Sequence, residues 1–349
     1  MYCFDDLKIW NLAPRVPSVV GAQRIFNIVG GVDNANEADR LVYSLNGGPE
    51  KPVFLKRSDT DSERLERIGD FNIDTIETAD LMPANRLRFR LIRRNLVEKR
   101  YPVDFGIRKY PAGVPEFKLK LAGVTYAQEV GQIVDGRWIV TRDEQEGACL
   151  ESPDEAGYDR IILFGHSDWS TGYELYARVR VTRWTGRRDM GLGVAFKWNP
   201  HLGGGGTSLP SRWSTGIGQY YFPKNLPRPG LSIAMGVNVH YDGKGKYVGE
   251  QVLKQGMLSP WRWAIGALRS HVLRMENPFP QIVPQRAYSL RMRVSSSKYA
   301  LTVWPARDRE PSPQVVARKP VEKLAGGSVG IVAHRCGLRV YEFTVNPIS

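Results

Sequence analysis

Residues 165–169, GHSDW, contain the side chains of a serine hydrolase directly after an apolar stretch. A nucleophile elbow needs a strand, a tight turn and a helix, with a small residue two positions after the serine. Trp169 occupies that position, and residues 173–181 then alternate between apolar and polar side chains, which is typical of a strand. The sequence therefore predicts that Ser167 is a turn residue and that His166, Ser167 and Asp168 do not form a catalytic triad.

A second candidate chemistry is elimination from an acidic sugar, the reaction of a polysaccharide lyase. This reaction needs a cation that neutralises the uronate and a histidine or tyrosine that moves the α-proton. His240 and Tyr241, at the end of an apolar run, and Arg293 have these residue types, although their spacing gives no sign that they converge. Lyase chemistry is therefore kept as an alternative, with no catalytic residue assigned.

Two irregular segments carry candidate ligand contacts. Flat aromatic rings stack on the apolar faces of sugars, and exposed cations pair with carboxylates or sulfates. The segment 197–230 interleaves both types, whereas Trp198 ends an apolar run and is predicted to lie in the core. A second segment, 259–274, is predicted to form a short helix. The candidate contacts are Arg212, Trp213, Tyr220, Tyr221, Lys224, Arg262 and Trp263.

No metal or cofactor site is predicted, with one alternative. The segment 33–39, DNANEAD, supplies oxygens suited to calcium, but it lacks the mid-loop glycine and the closing glutamate of an EF-hand. It is predicted to be a surface turn, and a structural calcium ion is the alternative. The three cysteines, Cys3, Cys149 and Cys336, are widely spaced, which excludes the paired spacing of zinc and redox motifs.

The charge distribution predicts an anionic partner. The net charge is +13, and residues 177–309 alone hold 21 basic residues against 5 acidic ones. A one-sided field concentrates anionic ligands. No nucleic-acid-reading motif accompanies the charge, so nucleic acid is not the expected partner. No apolar run is long enough to span a membrane.

The first hundred residues predict closely spaced strands. Segments 23–32, 39–58, 69–76 and 85–95 are strand-like, and Asn46-Gly47-Gly48 supplies the positive-φ positions of a hairpin. Residues 69–76 alternate between apolar and polar side chains, and the same alternation in 85–95 predicts a half-buried strand. The arginines of the last strand are predicted to form a solvated face: Arg86, Arg88, Arg90, Arg93 and Arg94. These features fit a small β-sandwich at 1–105.

The remainder of the chain also lacks helical periodicity. Residues 106–124 are predicted to be a linker, and residues 136–152 are predicted to be the first strand of a larger sandwich. The apolar runs that follow are bounded by Gly, Pro, Asp or Ser, as strands usually are. A parallel α/β sheet is therefore excluded. Two antiparallel sheets in jelly-roll order over 125–349 are expected, which makes the whole protein all-β.

Three segments carry a family resemblance: WIVTRDEQEGACLESPDEAGYDRIILFGHSDWSTGYELYARVRV (138–181), YSLRMRVSSSKYALTVWPARDRE (288–310) and GSVGIVAHRCGLRVYEFTVNP (327–347). They resemble the concanavalin A-like lectin/glucanase sandwiches, including laminin-G-like modules of bacterial polysaccharide-associated proteins. The segment VDNANEADRLVYSLNGGPEKPVFL (32–55) is similar to immunoglobulin- or cadherin-like modules that bacteria place before such sandwiches. The resemblance implies an extracellular or surface location, whereas Asp5 and Asp6 at the N-terminus argue against a secretory signal and leave the cytoplasm as the default.

The resemblance implies carbohydrate recognition, and this chain departs from the family where catalysis is concerned. Glucanase members carry Glu-x-Asp-x-x-Glu on a strand; here Glu151, Asp154 and Glu155 are interrupted by Ser152-Pro153, which predicts an acidic turn. The expected function is non-catalytic binding of an extended acidic polysaccharide by a basic, aromatic-lined face of the jelly roll. The alternatives are a lyase or glycoside hydrolase of the same fold, and a structural surface or assembly protein.

Overall fold

The protein is built almost entirely of β-strands. A computed structural model describes residues 1–57, 65–153, 159–169, 171–184, 190–198, 216–222, 232–241, 247–251, 255–257, 273–275, 282–295, 298–313, 315–318, 327–334 and 336–348. At these residues the helices are two single 3₁₀ turns, Thr78–Asp80 and Ala127–Glu129, and there is no α-helix. The prediction of an all-β protein is confirmed. No helix of the described ranges has the length and hydropathy needed to cross a bilayer.

The N-terminal part consists of two sheets. Its strands are β1 (Tyr2–Cys3), β2 (Leu7–Ile9), β3 (Ser18–Val20), β4 (Ile25–Val32), β5 (Arg40–Leu45), β6 (Lys51–Val53), β7 (Asp70–Glu77), β8 (Ala84–Ile92) and β9 (Glu98–Lys109). The sheet orders are β1-β2-β4-β7 and β3-β9-β8-β5-β6. Strand β9 continues past residue 105, the predicted end of the first domain. The immunoglobulin-like assignment of this part stays a prediction.

The C-terminal part forms a second, larger pair of sheets. Its strands are β10 (Phe117–Lys118), β11 (Gln132–Asp135), β12 (Ile139–Asp143), β13 (Gly147–Ser152), β14 (Asp159–Phe164), β15 (Tyr173–Trp184), β16 (Met190–Trp198), β17 (Gly216–Phe222), β18 (Ser232–Tyr241), β19 (Tyr247–Gln251), β20 (Gln255–Met257), β21 (Leu273–Met275), β22 (Ala287–Val294), β23 (Lys298–Pro305), β24 (Val315–Arg318), β25 (Ser328–His334) and β26 (Cys336–Pro347). One sheet runs β12-β13-β26-β15-β22-β23-β24-β21, with β10 on β26. The other runs β11-β14-β25-β16-β17-β18-β19, with β20 on β18.

Local sequence explains the hairpins. Asn46 and Gly47 adopt φ values of 52° and 79°, the left-handed pair that a two-residue hairpin turn requires, so the β5–β6 hairpin is confirmed. Residues 136–152, predicted as one strand, are instead the hairpin β12–β13. The reason is Asp143, whose Oδ1 accepts the N–H groups of Gln145 and Glu146 and closes the turn.

Strand β7 alternates in sequence but is not half-buried, since every residue from 70 to 74 is buried. Phe71 and Ile73 face the core of the N-terminal part, while Asn72 on the opposite face reaches the C-terminal part. The helix predicted at 259–274 lies outside the described residues, apart from Leu273 and Arg274, which belong to strand β21.

Two main cores hold the sheets together. Alternate residues of β5, β8 and β9 pack against β2, β4 and β7; Leu87, Phe89 and Leu91 of β8 are buried as predicted. The larger core lies between the two C-terminal sheets and includes Phe164 and Phe343, whose ring centroids are 4.4 Å apart. Burial of large side chains of this kind is the main stabilising contribution to such sandwiches.

A third apolar cluster joins the two parts of the chain. Ile161 and Leu163 of β14 face away from the larger core and pack with Val19, Ala22 and Tyr110. Both faces of β14 and β25 are therefore buried, which explains why these strands are continuous apolar runs. We call this contact the seam.

Polar side chains of the seam complete its packing. Gln132 accepts the N–H of Ala22 at 3.0 Å and donates to the carbonyl of Ile25 at 2.9 Å. Asn72 donates to the carbonyl of Val134 and to Asp135, each at 2.8 Å. Burying a polar group without a hydrogen-bond partner destabilises the fold. The side-chain amides of Gln132 and Asn72 avoid this cost because they form hydrogen bonds across the seam.

Candidate functional site

Most of the predicted ligand contacts lie beyond the described residues. This holds for Arg212, Trp213, Lys224, Arg262 and Trp263. Tyr220 and Tyr221 belong to strand β17, where Tyr220 is paired in register with Leu192 and Ile233. Only the backbone of this strand is described. The role of all seven residues stays a prediction.

The lyase candidates fall on two different sheets. His240 and Tyr241 end strand β18, and Arg293 lies on β22 of the other sheet. The Nε of Arg293 donates to Oε2 of Glu174 at 2.5 Å. The structure thus brings Arg293 to a carboxylate of its own sheet rather than to the strand of His240 and Tyr241.

The loop at 165–169 is a turn, as predicted. The N–H of Ser167 donates to the carbonyl of Gly21 at 2.8 Å, which fixes the loop against the N-terminal part. Nδ1 of His166 lies 2.6 Å from Oδ1 of Asp168. Gly165, at φ +77°, lies directly under the ring of Trp169. This loop is a structural element of the seam, and it has neither the helix nor the small residue of a nucleophile elbow.

Trp198 is fully buried at the seam, which confirms its prediction as a core residue. Its Nε1 donates to Oε1 of Gln23 at 2.6 Å. The side-chain amide of Gln23 in turn donates to Oδ1 of Asn27 at 2.7 Å. Trp198 therefore fixes one part of the chain to the other and is not a sugar platform.

The turn at 33–39 is held by side chains of the protein itself. Asp39 accepts Nη1 of Arg93 at 2.7 Å, and Asp33 pairs with Lys8 at 2.6 Å. The predicted surface turn is confirmed, while Arg93 is not part of a solvated face as expected. Its guanidinium also pairs with Asp6 at 2.9 Å. Among the residues that the structure describes, no group of three acidic, histidine or cysteine side chains is arranged for a metal ion.

Arginines of the basic segment that lie on β15 and β22 are paired with carboxylates on the outer face of their sheet. Arg178 pairs with Glu146, and Arg291 pairs with both Glu174 and Glu310, the last at 2.9 Å. These carboxylates come from outside residues 177–309. The positive charge counted along the sequence therefore overstates the field at this face, because long-range pairs cancel much of it.

The strongest cluster on this face surrounds Asp143. Its Oδ2 accepts Arg339 at 2.7 Å, Arg180 at 3.0 Å and the hydroxyl of Tyr341 at 3.0 Å. Burial alone would raise the pKa of Asp143, but the donors outweigh burial and lower the pKa to about 2. A carboxylate with this many donors stays ionised and is not suited to accept a proton in catalysis.

Cys149 lies beside the same cluster. Burial raises the pKa of the Cys149 thiol to about 11. A thiol with a raised pKa is a poor nucleophile because the thiolate is the reactive form. The cluster is therefore structural: it fixes the β12–β13 hairpin to β15 and β26.

Basic side chains without ion-pair partners among the described residues lie instead in a groove between the N-terminal and C-terminal parts of the chain. The groove has a volume of about 780 Å³ and is lined by the end of β9, the connection at 110–120 and residues 129–130. We call it the junction groove. Val114, exposed to 66%, and Phe117 form apolar walls. Phe117 is fixed from behind by Phe164, with ring centroids 5.1 Å apart.

Three cations face this groove: Arg108, Lys118 and Lys120. In the described part of the chain, neither lysine forms an ion pair. Arg108 donates to the main-chain carbonyl of Glu129 at 2.8 Å, and the carboxylate of Glu129 accepts the N–H of Tyr126 at 2.7 Å. The one further acidic side chain of the lining is Glu116. A groove with cations beside apolar walls can hold an anionic chain.

Sequence reasoning assigned this region to a linker because it lacks periodicity. The available signal was the alternation of charge and apolar side chains in EFKLK, residues 116–120. This alternation can be assigned to a strand only from the structure, in which Phe117 pairs with Val345 of β26 and the two lysines are exposed.

Comparisons with known proteins give weak similarities. The chain matches no protein-family model and no curated protein sequence. Among solved structures, it is similar to the exoplasmic/lumenal domain of VIP36 bound to Ca²⁺ and Man3GlcNAc, with a TM-score of 0.38, 11% identity, and coverage of 64% of this chain and 86% of that one.

Two further solved structures show similarity of the same order. One is the alginate lyase of Klebsiella pneumoniae, with a TM-score of 0.31, 10% identity, and coverage of 60% of this chain and 84% of that one. The other is a mutant of the GH43 protein BlXynB of Bacillus licheniformis, with a TM-score of 0.36, 8% identity, and coverage of 92% and 63%.

Proposed function

We infer that the protein binds an acidic polysaccharide without cleaving it, and that the junction groove is the binding site within the described residues. One observation carries this proposal. Lys118 and Lys120 stand beside the apolar walls of a groove and have no carboxylate partner there, whereas the arginines of the neighbouring sheet face are paired.

The groove matches the chemistry of a uronate polymer. Such a chain presents an apolar ring face and a carboxylate in each residue, and the groove offers the ring of Phe117 with cations on the same segment. Its volume of about 780 Å³ is within the usual range for ligand sites, about 300–1,000 Å³. The ligand contacts predicted at 212–224 and 262–263 are proposed as further contacts to an extended polysaccharide.

Binding without catalysis fits the state of the described carboxylates. Asp143 is engaged by two arginines and a tyrosine, and Glu174 by Arg291 and Arg293. A general acid or base must be able to exchange a proton near neutral pH, and Asp143, whose donors lower its pKa to about 2, does so poorly.

The test is affinity electrophoresis of the full chain in gels containing polygalacturonate or a neutral glucan. The double variant Lys118→Glu/Lys120→Glu should bind the uronate polymer at least about tenfold more weakly, since two favourable charges become repulsive. The control is Arg40→Glu/Lys51→Glu, which makes the same charge change at exposed positions of β5 and β6. This variant should bind like the wild type.

Several outcomes would overturn the proposal. Equal retardation by the neutral glucan would exclude recognition of the acid. Unchanged binding in the lysine variant, with binding lost in Trp213→Ala/Tyr220→Ala, would place the site in the segment 197–230 instead. New ultraviolet absorbance from an unsaturated product would show a lyase instead of a binding protein.

A further inference from the structure

A second, smaller cavity lies between the N-terminal part and Arg137, which follows β11, apart from both the seam and the junction groove. It has a volume of about 320 Å³, and its walls come from β2 and Trp10, from Gly31–Asn34, from Arg67–Asp70 and from Arg137. We call it the Trp10 cleft. Since Arg137 follows β11, the cleft is complete only when both parts of the chain are present.

Gly31 lies close to both Asp70 and Trp10 in the wall of the Trp10 cleft. A Cβ atom at this position would lie 2.9 Å from Oδ1 of Asp70 and 3.3 Å from Cζ2 of Trp10. Both distances are shorter than ordinary van der Waals contact. A side chain at this position would therefore displace Asp70 or Trp10, so glycine allows both groups to stay where they are.

The cleft contains basic groups that its acidic groups do not satisfy. Nε of Arg137 is buried and has no hydrogen-bond acceptor among the described residues. The guanidinium of Arg67 lies 5.8 Å from the centroid of the Trp10 ring, and its contact to Asp70 is long, at 3.7 Å. A buried donor without an acceptor is costly, and an anion from outside would satisfy it.

We propose that the Trp10 cleft binds a uronic acid unit, with the carboxylate held by Arg137 and Arg67 and the sugar ring against the indole of Trp10. The volume is at the lower end of the range for ligand sites, which suits one ring rather than an extended chain. This inference does not depend on the junction groove, and either site can exist without the other.

Cys3 provides a direct readout because it lines the cleft and is exposed. The other two cysteines, Cys149 and Cys336, are buried. The rate at which iodoacetamide alkylates the full chain therefore reports mainly on Cys3. A ligand in the cleft should slow this reaction in a saturable manner.

The experiment compares glucuronate, glucose and acetate at constant ionic strength. Glucuronate should protect Cys3, while glucose lacks the charge and acetate lacks the ring. In Arg137→Gln, protection should require at least about tenfold more glucuronate, and Arg67→Gln, a change at an exposed side chain, should show a loss in the same direction. The matched control, Arg40→Gln, neutralises one exposed arginine outside both the cleft and the junction groove and should retain full protection.

The result also distinguishes two sources of the ligand. Protection by the monosaccharide identifies a site for free uronate, and protection by a uronate oligosaccharide alone identifies a site for a chain end. Equal protection by glucose or by acetate would overturn the proposal, as would unchanged protection in both arginine variants or no saturable protection by any uronate.

Discussion

Replacing Asp143 by asparagine removes a negative charge from a point where three side-chain donors converge. Burial by itself raises the pKa of Asp143. Hydrogen bonds from the N–H of Gln145, the guanidinium of Arg339 and the hydroxyl of Tyr341 outweigh burial and lower the pKa to about 2. The ionised carboxylate is therefore more stable in the folded protein than in the unfolded chain.

The shift sets both the size and the pH dependence of the effect. Against an ordinary value of 3.8, a pKa of about 2 corresponds to about 2.5 kcal/mol of folding stability at neutral pH, at about 1.36 kcal/mol per pKa unit. Because the folded pKa is the lower one, this contribution is fully present above pH 4. It falls to about 1.3 kcal/mol at pH 3 and is lost as the pH passes through 2.

The assay is urea unfolding of the wild type and Asp143→Asn at pH 7, 5 and 3. The variant should be less stable by about 2.5 kcal/mol at pH 7, and the difference should be about half as large at pH 3. Asp308→Asn is the matched control. Asp308 pairs with Arg286 at 3.6 Å with both side chains more than half exposed, so its loss should cost at most about 0.5 kcal/mol. A difference for Asp143→Asn that is the same at every pH would refute the electrostatic explanation.

Two further predictions concern the seam. Trp198→Phe removes the hydrogen bond to Gln23 and leaves a buried acceptor, which should cost about 1–3 kcal/mol in urea unfolding; a loss below about 0.5 kcal/mol would contradict the importance of this bond. Gly165→Ala places a Cβ atom 2.1 Å from the Trp169 ring, so it should lower stability by more than about 2 kcal/mol and change the near-ultraviolet circular dichroism. Gly47→Ala, also at positive φ but with nothing within 4 Å, should cost about 1–2 kcal/mol, and an equal loss in both variants would disprove the steric argument.

The position of a strand can be predicted from the sequence where one face of the strand is exposed to solvent. The alternation of Leu87, Phe89 and Leu91 with arginines identifies β8, and the Asn46-Gly47 turn fixes the neighbouring hairpin. In β7 the same pattern misleads. The polar face of that strand is buried by the C-terminal part, since Asn72 contacts Val134. The sequence around β7 does not indicate this burial, because the residues that cause it are about sixty positions away.

The candidate site was harder to predict because charge pairing is a long-range property. Arg339 and Glu151 are 188 positions apart, and Arg291 and Glu174 are 117 apart, yet both pairs are in contact. A charge count over residues 177–309 includes Arg291 but not Glu174, the carboxylate that pairs with it in the folded protein. Conversely, Lys118 and Lys120 lie in a segment of ordinary composition and become distinctive only once neighbouring elements surround them.

The apolar outer side of β14 and β25 has a practical consequence for how the chain can be divided. Expressing the C-terminal part without the N-terminal part would expose an apolar surface that includes Ile161, Leu163, Trp198 and Val332. Exposed apolar patches of this kind promote aggregation. We therefore expect the larger sandwich to lose solubility when it is expressed without the sequence before it.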